Sequence, residues 1–534
     1  MSDIPERRSA GADCKDLAFF APDRSRVALI RHGRSTGFRV MDAYEIPERD
    51  FNVVTRGGQA TNSQRWVLTD TGGGLFTIMQ VSSDRYLDAH EIGGPDFDFR
   101  VVTRPRQDND TQLWCLTPSG SKILIRQVSS GRALQPYLTA DMDFQVVTRP
   151  RDDADDNQWL WEPLLGPFGS TFPADRSAPF NAPPAAGPPT GWVNPGLRVE
   201  NIAYRTTSAK LHLLTRDARG VTFVEPLTDA ARINDPGTPL ALSNPVGFVD
   251  TMRNLNFLLY VDQARNVHSL SWSTHPVGHD NLSGAAGARK VADQSNPVGY
   301  YIPVADTHHV IYRADNNHLY DLRWDGDGAV NPGRDLTGTK PTATGNPSAF
   351  VNGTGMNFAV HRTRSDDHIR SLYWVDDTGE PGLDDLSGVA GTPPAKGNPV
   401  GYYTAHDDTV QIVYHGGDEG HLYELYSSGN ATITGWDITP DDAPTPTGTL
   451  AAYYSAGTNT KHVTYYSGED QRLHEIWWVP GEMRAEHVDL TGEADQASTP
   501  TGRPAAFTVD GPNSLHVAYR GPGSQIFELR RWWS

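Results

Sequence analysis

From residue 192 onward, short runs of alternating apolar and polar positions are separated by clusters of Gly, Pro, Asn and Asp. Period-two alternation in runs this short predicts β-strands, and the clusters predict turns. One hairpin recurs: a strand ending in Tyr, a polar turn, then a strand ending near Trp. Copies read FLLYV…NVHSLSW, HVIYR…HLYDLRW and HVTYY…RLHEIWW. The Tyr position falls at Tyr204, Tyr260, Tyr312, His361, Tyr414, Tyr465 and Tyr519, so six steps from 204 to 519 average about 52 residues. Between hairpins lie a Leu–Ser/Thr pair (Leu282-Ser283, Leu336-Thr337, Leu386-Ser387, Leu490-Thr491) and a segment opening at Asn244, Asn296, Asn346 or Asn398. Four short strands per repeat, seven times over, predict a seven-bladed β-propeller across 192–534. Helical periodicity is nearly absent.

Residues 27–165 carry a different repeat, three times. Its acidic-aromatic strand reads DFNVVTR at Asp50–Arg56, DFRVVTR at Asp98–Arg104 and DFQVVTR at Asp143–Arg149. A Gln-plus-Trp element follows each: Gln64-Arg65-Trp66, Gln112-Leu113-Trp114, and Gln158 with Trp159 or Trp161. Three such repeats predict one pseudo-threefold barrel with a capped end. Residues 166–191, rich in Pro, Ala and Gly, predict an extended linker, and 1–26 an N-terminal arm. The seventh propeller hairpin reaches Ser534 with no outer strand after it, so the linker is expected to supply that strand, at Phe180-Asn181 by the offset seen in the sixth repeat. The Gln-x-Trp spacing makes 27–165 resemble the ricin-B-type β-trefoils. The expected fold class is all-β, an N-terminal β-trefoil followed by a seven-bladed β-propeller.

Composition narrows the function. With 46 Lys+Arg against 65 Asp+Glu the net charge is −19, which argues against nucleic acid and anionic membranes as partners. No apolar run is long enough for a membrane helix, and the first twenty or so residues lack the apolar core of a signal peptide. The cytoplasm is the default compartment, with release by a route needing no signal peptide left open. The two cysteines, Cys14 and Cys115, are expected as free thiols. No HExxH, P-loop, GxSxG or CxxC string occurs, so no catalytic centre, metal or cofactor is expected. Leu29–Ser35 (LIRHGRS) resembles the phosphohistidine motif of histidine phosphatases, but it aligns with the first strand and turn of the trefoil repeats.

Candidate binding residues lie in both halves. If His309 and Asp321 project to one face of their hairpin, Tyr312 and Trp324 project to the other. Each cleft between neighbouring blades then receives an acid–donor pair from one blade and a Trp from the next, the mix a sugar needs. Repeat by repeat the pair reads His309/Asp321, Gln411/Glu424, His462/Glu475 and His516/Glu528, while Asn201/Leu213, Phe257/Ser269 and Phe358/Ser371 do not preserve it. The aromatic position is Trp272, Trp324, Trp374 and Trp478, with Trp532 displaced by one and Arg216 and Ser427 at the other two. The arrangement is similar to the fungal fucose lectins and, in blade number and the HLYEL-like strand, to the seven-bladed Photorhabdus-type lectins that bind fucose and galactose derivatives.

For the trefoil, the ricin-B resemblance implies a sugar-fixing Asp at Asp42 and Asp88, where Gln135 stands in the third repeat. It implies an Asn at Ser63, Thr111 and Asn157, and a stacking aromatic near Arg56, Arg104 and Arg149. No repeat carries the full set. Asp88 with His90 nearby is the best-placed group. The resemblances together imply a non-enzymatic, multivalent lectin for fucosylated or galactosylated glycans, methylated forms included, with homo-oligomerisation open. The alternatives are a protein-interaction or toxin-associated targeting scaffold and a glycosidase acting on the propeller's axial face.

Overall fold

The computed structural model describes residues 26–32, 39–57, 62–72, 75–90, 98–107, 109–119, 122–150, 158–163, 171–176, 182–217, 222–273, 276–326, 328–375, 379–428, 433–456, 458–494, 497–509 and 514–532. In the N-terminal part, six strands close a barrel by antiparallel pairing: Arg26–His32, Arg65–Gly72, Leu75–Gln80, Trp114–Ser119, Lys122–Gln127 and Gln158–Pro163, the last returning to the first. Three hairpins, Arg39–Ala43 with Val53–Gly57, Tyr86–Ala89 with Phe99–Arg104, and Ala133–Pro136 with Val146–Arg149, meet one another as a cap. This is the topology of a β-trefoil.

The threefold sequence repeat has a physical counterpart in the core. Trp66, Trp114 and Trp159 are fully buried. Each indole N–H donates to a backbone carbonyl, of Met41, Leu87 and Leu134, at 3.0, 3.0 and 2.9 Å. Trp159 rather than Trp161 therefore completes the set. Asn157, two residues before it, falls where Gln64 and Gln112 stand; it lies outside the described residues, as do Cys14, most of Leu29–Ser35's turn and Phe180-Asn181. Cys115 is disulfide-bonded, which corrects the expectation of free thiols.

The rest of the described chain forms seven four-stranded antiparallel sheets. The first six run in chain order, opening at Thr190, Val246, Val298, Ala343, Val400 and Ala451. The innermost strand of each packs against that of the next, and the seventh returns to the first, closing the ring. Blade 7 comprises Ala505–Val509, Ser514–Arg520 and Ile526–Trp532, and its fourth, outer strand is Thr171–Asp175. The linker thus pairs with the last hairpin, but upstream of Phe180-Asn181. The displacement has a clear cause. Leu282, Leu386 and Leu490 begin one-turn helices that follow the outer strands, capped by Asn281, Asp385 and Asp489, so an offset measured from Leu–Ser/Thr lands too far along.

The repeated Tyr column is the blade core: Tyr204, Tyr260, Tyr312, Tyr414, Tyr465 and Tyr519 and the substituted His361 are all fully buried. The Asn-led segments tie blade to blade. The Asn296 N–H donates to Asn346 Oδ1 at 2.9 Å, and the Asn346 N–H to Asn398 Oδ1 at 3.0 Å. The trefoil docks at the seam of blades 7 and 1, where Asp84 meets Arg530 and lies 3.3 Å from Arg216.

Candidate functional site

The acid and donor of each expected pair share one side of the sheet, as the alternation requires. His309 stands opposite Arg323, and Asp321 opposite Ile311, so the two meet on the diagonal rather than face to face. His309 Nδ1 is 2.9 Å from Asp321, His462 Nδ1 2.9 Å from Glu475, and His516 Nδ1 2.7 Å from Glu528. Gln411 does not join Glu424; it donates toward Thr404 at 3.5 Å and to Thr409.

These pairs close the clefts they were expected to line. Asp321, Glu424, Glu475 and Glu528 are at most 3 % exposed. Most take a cation across the seam or from their own sheet. Glu424 receives Lys461 Nζ at 3.0 Å and the indoles of Trp436 and Trp478 at 2.6 and 3.0 Å. Glu475 receives Arg531, and the Tyr453 hydroxyl donates to it at 2.9 Å. Glu528 receives Arg176 at 2.6 Å and Arg530 at 2.8 Å. Burial alone would raise the Glu475 carboxyl, but Arg531 and His462 more than offset it and hold it at about 2. The same contest at Glu528, with Arg176, Arg530 and His516 prevailing, leaves it well below the usual carboxylate range.

The expected stacking residues are enclosed too. Trp272, Trp324, Trp374 and Trp478 are between 1 and 7 % exposed. Trp324 lies against His308 with centroids 4.7 Å apart, and Trp272 meets Trp192 at 6.2 Å. Little of these rings is left exposed, although Trp272 borders an open cleft. Carboxylate or imidazole atoms of Glu200, His516 and Glu528 lie within 4.8 Å of one another. Arg176, Arg216 and Arg530 surround them, so the group is an ion-pair seam rather than a cation site.

The trefoil positions are likewise committed. Asp42 and Asp88 are buried, each accepting the next residue's N–H at 2.8 Å and facing Gln64 or Gln112 at 3.3 Å. His90 lies 3.0 Å from both Asp50 and Arg104. Arg56 and Arg149 cover the rings of Tyr44 and Tyr137 at 4.4 and 4.6 Å, so guanidinium groups occupy the faces a sugar would need.

Among the described residues two open clefts are seen, and in each the first of the two blades lacks the acid–donor pair. Between blades 1 and 2 a pocket of about 400 Å³ includes Asn201, Phe223, Glu225 and Trp272. Between blades 4 and 5 lies a pocket of about 680 Å³, within the range of small-ligand sites. Its opening follows from two substitutions in the repeat. At the aromatic position blade 5 has Ser427, opposite Val410, where blade 6 has Trp478 opposite Lys461. At the acid position blade 4 has Ser371.

The wall contributed by blade 4 consists of Ala343–Val351, Asn357–Thr363, Ile369–Trp374 and Gly382–Asp385. One row across these strands reads Phe350, Phe358, Tyr373, Gly382. A Cβ at Gly382 would stand 2.2 Å from Tyr373 Cζ, so the glycine lets the tyrosine ring lie flat. The next row pairs Ser371 with Asp384, which is exposed and has no hydrogen-bond or ion-pair partner among the described residues. Across the pocket the Tyr403 hydroxyl donates to Asp408 at 2.8 Å. A flat ring beside a free carboxylate is the combination expected of the Trp and acid columns, displaced to Tyr373 and Asp384. Ser371 and Ser427, visible in sequence as departures from the repeat, were the signal.

Known proteins resemble parts of this chain. No curated protein matches it in sequence. The BP39L lectin from Burkholderia pseudomallei superposes with a TM-score of 0.49 at 11% identity, over 68% of this chain and 95% of that one. The fucose-specific lectin from Aleuria aurantia gives 0.38 at 14% identity, over 60% and 97%. The designed threefold-symmetric protein ThreeFoil gives 0.24 at 20% identity, over 26% and 99%. Within the N-terminal part, residues 62–141 match the family described as ricin-type β-trefoil lectin domain-like.

Proposed function

We propose that the protein is a non-enzymatic carbohydrate-binding protein that takes a sugar in the open cleft between blades 4 and 5. The observation that carries the proposal is Tyr373 laid flat over Gly382 beside the unpartnered Asp384, in a pocket of about 680 Å³. The ring offers an apolar face to sugar C–H groups, and the carboxylate accepts from paired hydroxyls. The lectin-like family match of residues 62–141 supports the same reading. The fucose- or galactose-type preference drawn from the sequence belongs to this proposal, as does multivalency, with the cleft of blades 1 and 2 as a second site. Binding of the full chain to a glycan array, competed by free monosaccharides, tests it. Retention that no sugar competes, or turnover of aryl glycosides, would overturn it.

A further inference from the structure

The acid of each blade occupies one of two neighbouring positions. Where the third strand carries it, at Asp321, Glu424, Glu475 and Glu528, the outer-strand partner is Arg334, Trp436, Val488 or Ala174. Where the third strand lacks it, the outer strand carries one: Leu213 faces Glu225, Ser269 faces Asp280, and Ser371 faces Asp384. The carboxylate has moved one strand outward in three blades, from the enclosed seam toward the cleft mouth.

Asp384 differs from the third-strand acids in how its charge is met. Every third-strand acid has a basic side chain on it: His309 on Asp321, Lys461 on Glu424, Arg531 on Glu475, and Arg176 with Arg530 on Glu528. In the cleft of blades 4 and 5 the position of Lys461 is taken by Val410 and that of Arg531 by Ser427. The pocket holds Asp384 and Asp408 and no Lys, Arg or His among its described lining. Tyr373, Tyr403 and Tyr426 also line it. Lys461 Nζ already lies 5.4 Å from the centroid of Tyr426; the two carboxylates with the rings of Tyr373 and Tyr403 make a site of negative potential with π-faces, which favours a cation.

Resting on the carbohydrate reading above, we infer that this pocket takes an amine-bearing sugar, a 2-amino-2-deoxyhexose with a free ammonium group, which supplies to Asp384 the cation that the next blade supplies to Glu424 through Lys461 and to Glu475 through Arg531. The sugar ring stacks on Tyr373 while its ammonium donates to the Asp384 carboxylate. Partial burial raises the Asp384 carboxyl above its ordinary range. Binding is therefore strong while Asp384 is ionised and falls as pH drops through that raised value.

Calorimetric titration of the full chain with galactosamine, galactose and N-acetylgalactosamine at pH 6 and low salt tests this. Galactosamine is expected to bind at least tenfold more tightly than the other two, and Asp384→Asn to remove the difference. Val410→Lys places a protein ammonium where Lys461 stands in the next blade, and is expected to abolish the amine preference while leaving the thermal unfolding unchanged. Equal binding of galactosamine and galactose, both lost on filling the pocket with Ser427→Trp, would overturn the ammonium inference and leave the carbohydrate reading standing. Binding of none of the three would overturn the ammonium inference, and the carbohydrate reading would then stand or fall on the glycan array. An amine preference that survives in Asp384→Asn would overturn the assignment to this carboxylate.

Discussion

Glu475→Gln separates a seam that holds blades together from one that holds a sugar. Gln keeps the shape and can still accept from Tyr453 and His462, but it removes the charge facing Arg531 inside a fully buried seam. A carboxyl held at about 2 against an ordinary value of 4.5 contributes about 3 kcal/mol at neutral pH. Leaving a buried guanidinium uncompensated costs a similar amount, about 3–5 kcal/mol. For a unit as large as the propeller that corresponds to a fall in Tm of about 4–7 °C. The pH dependence has a definite direction. Because the folded value is depressed, the stabilisation is complete above about 4.5 and is lost as pH falls toward 2. Glu475→Gln should lack this component, so its stability should decline less steeply on acidification. Differential scanning calorimetry from pH 7 to 3 measures both effects, and titration with sugar should show unchanged stoichiometry. An unchanged Tm together with one fewer binding site would refute the assignment of this seam to structure.

Further outcomes follow from the same geometry. Ser427→Trp restores the aromatic of the other blades and should abolish sugar binding in the cleft of blades 4 and 5 without lowering Tm, as read by calorimetry on the full chain. Asn398→Ala removes the acceptor of the Asn346 N–H and should cost about 1 kcal/mol, visible as a lower denaturation midpoint. Deleting Thr171–Asp175 exposes the edge of Ile526–Trp532 and frees Glu528 from its neighbour Arg176, so the propeller should melt earlier than a chain lacking only residues 1–165. Asp88→Asn should lower trefoil stability, since Asp88 is buried, and leave glycan binding intact.

Much of the fold was legible because repetition makes burial visible. The Tyr column from Tyr204 to Tyr519 recurs where every blade needs one large side chain, and Trp66 and Trp114 recur where the barrel does. Strand parity likewise placed His309 with Asp321, and His462 with Glu475, on a common side. The destination of that side was not legible. Whether Glu475 meets a sugar or Arg531 depends on the adjacent blade, 56 residues away in the chain, and no hairpin pattern reports it. The same limit hid the open cleft. Ser371 and Ser427 looked like lost sites, yet small residues at those places leave the space, and Asp384 one strand outward brings the charge back. The misplaced closing strand came from a local feature instead, since Leu–Ser/Thr pairs open capped helical turns rather than strands.

A crystal structure of the full chain with saturating sugar tests the central claim most directly. The account predicts a sugar ring stacked on Tyr373 with its polar groups on Asp384, and no sugar at His309/Asp321, His462/Glu475 or His516/Glu528. Sugar bound against those buried pairs, with an empty cleft between blades 4 and 5, would contradict it.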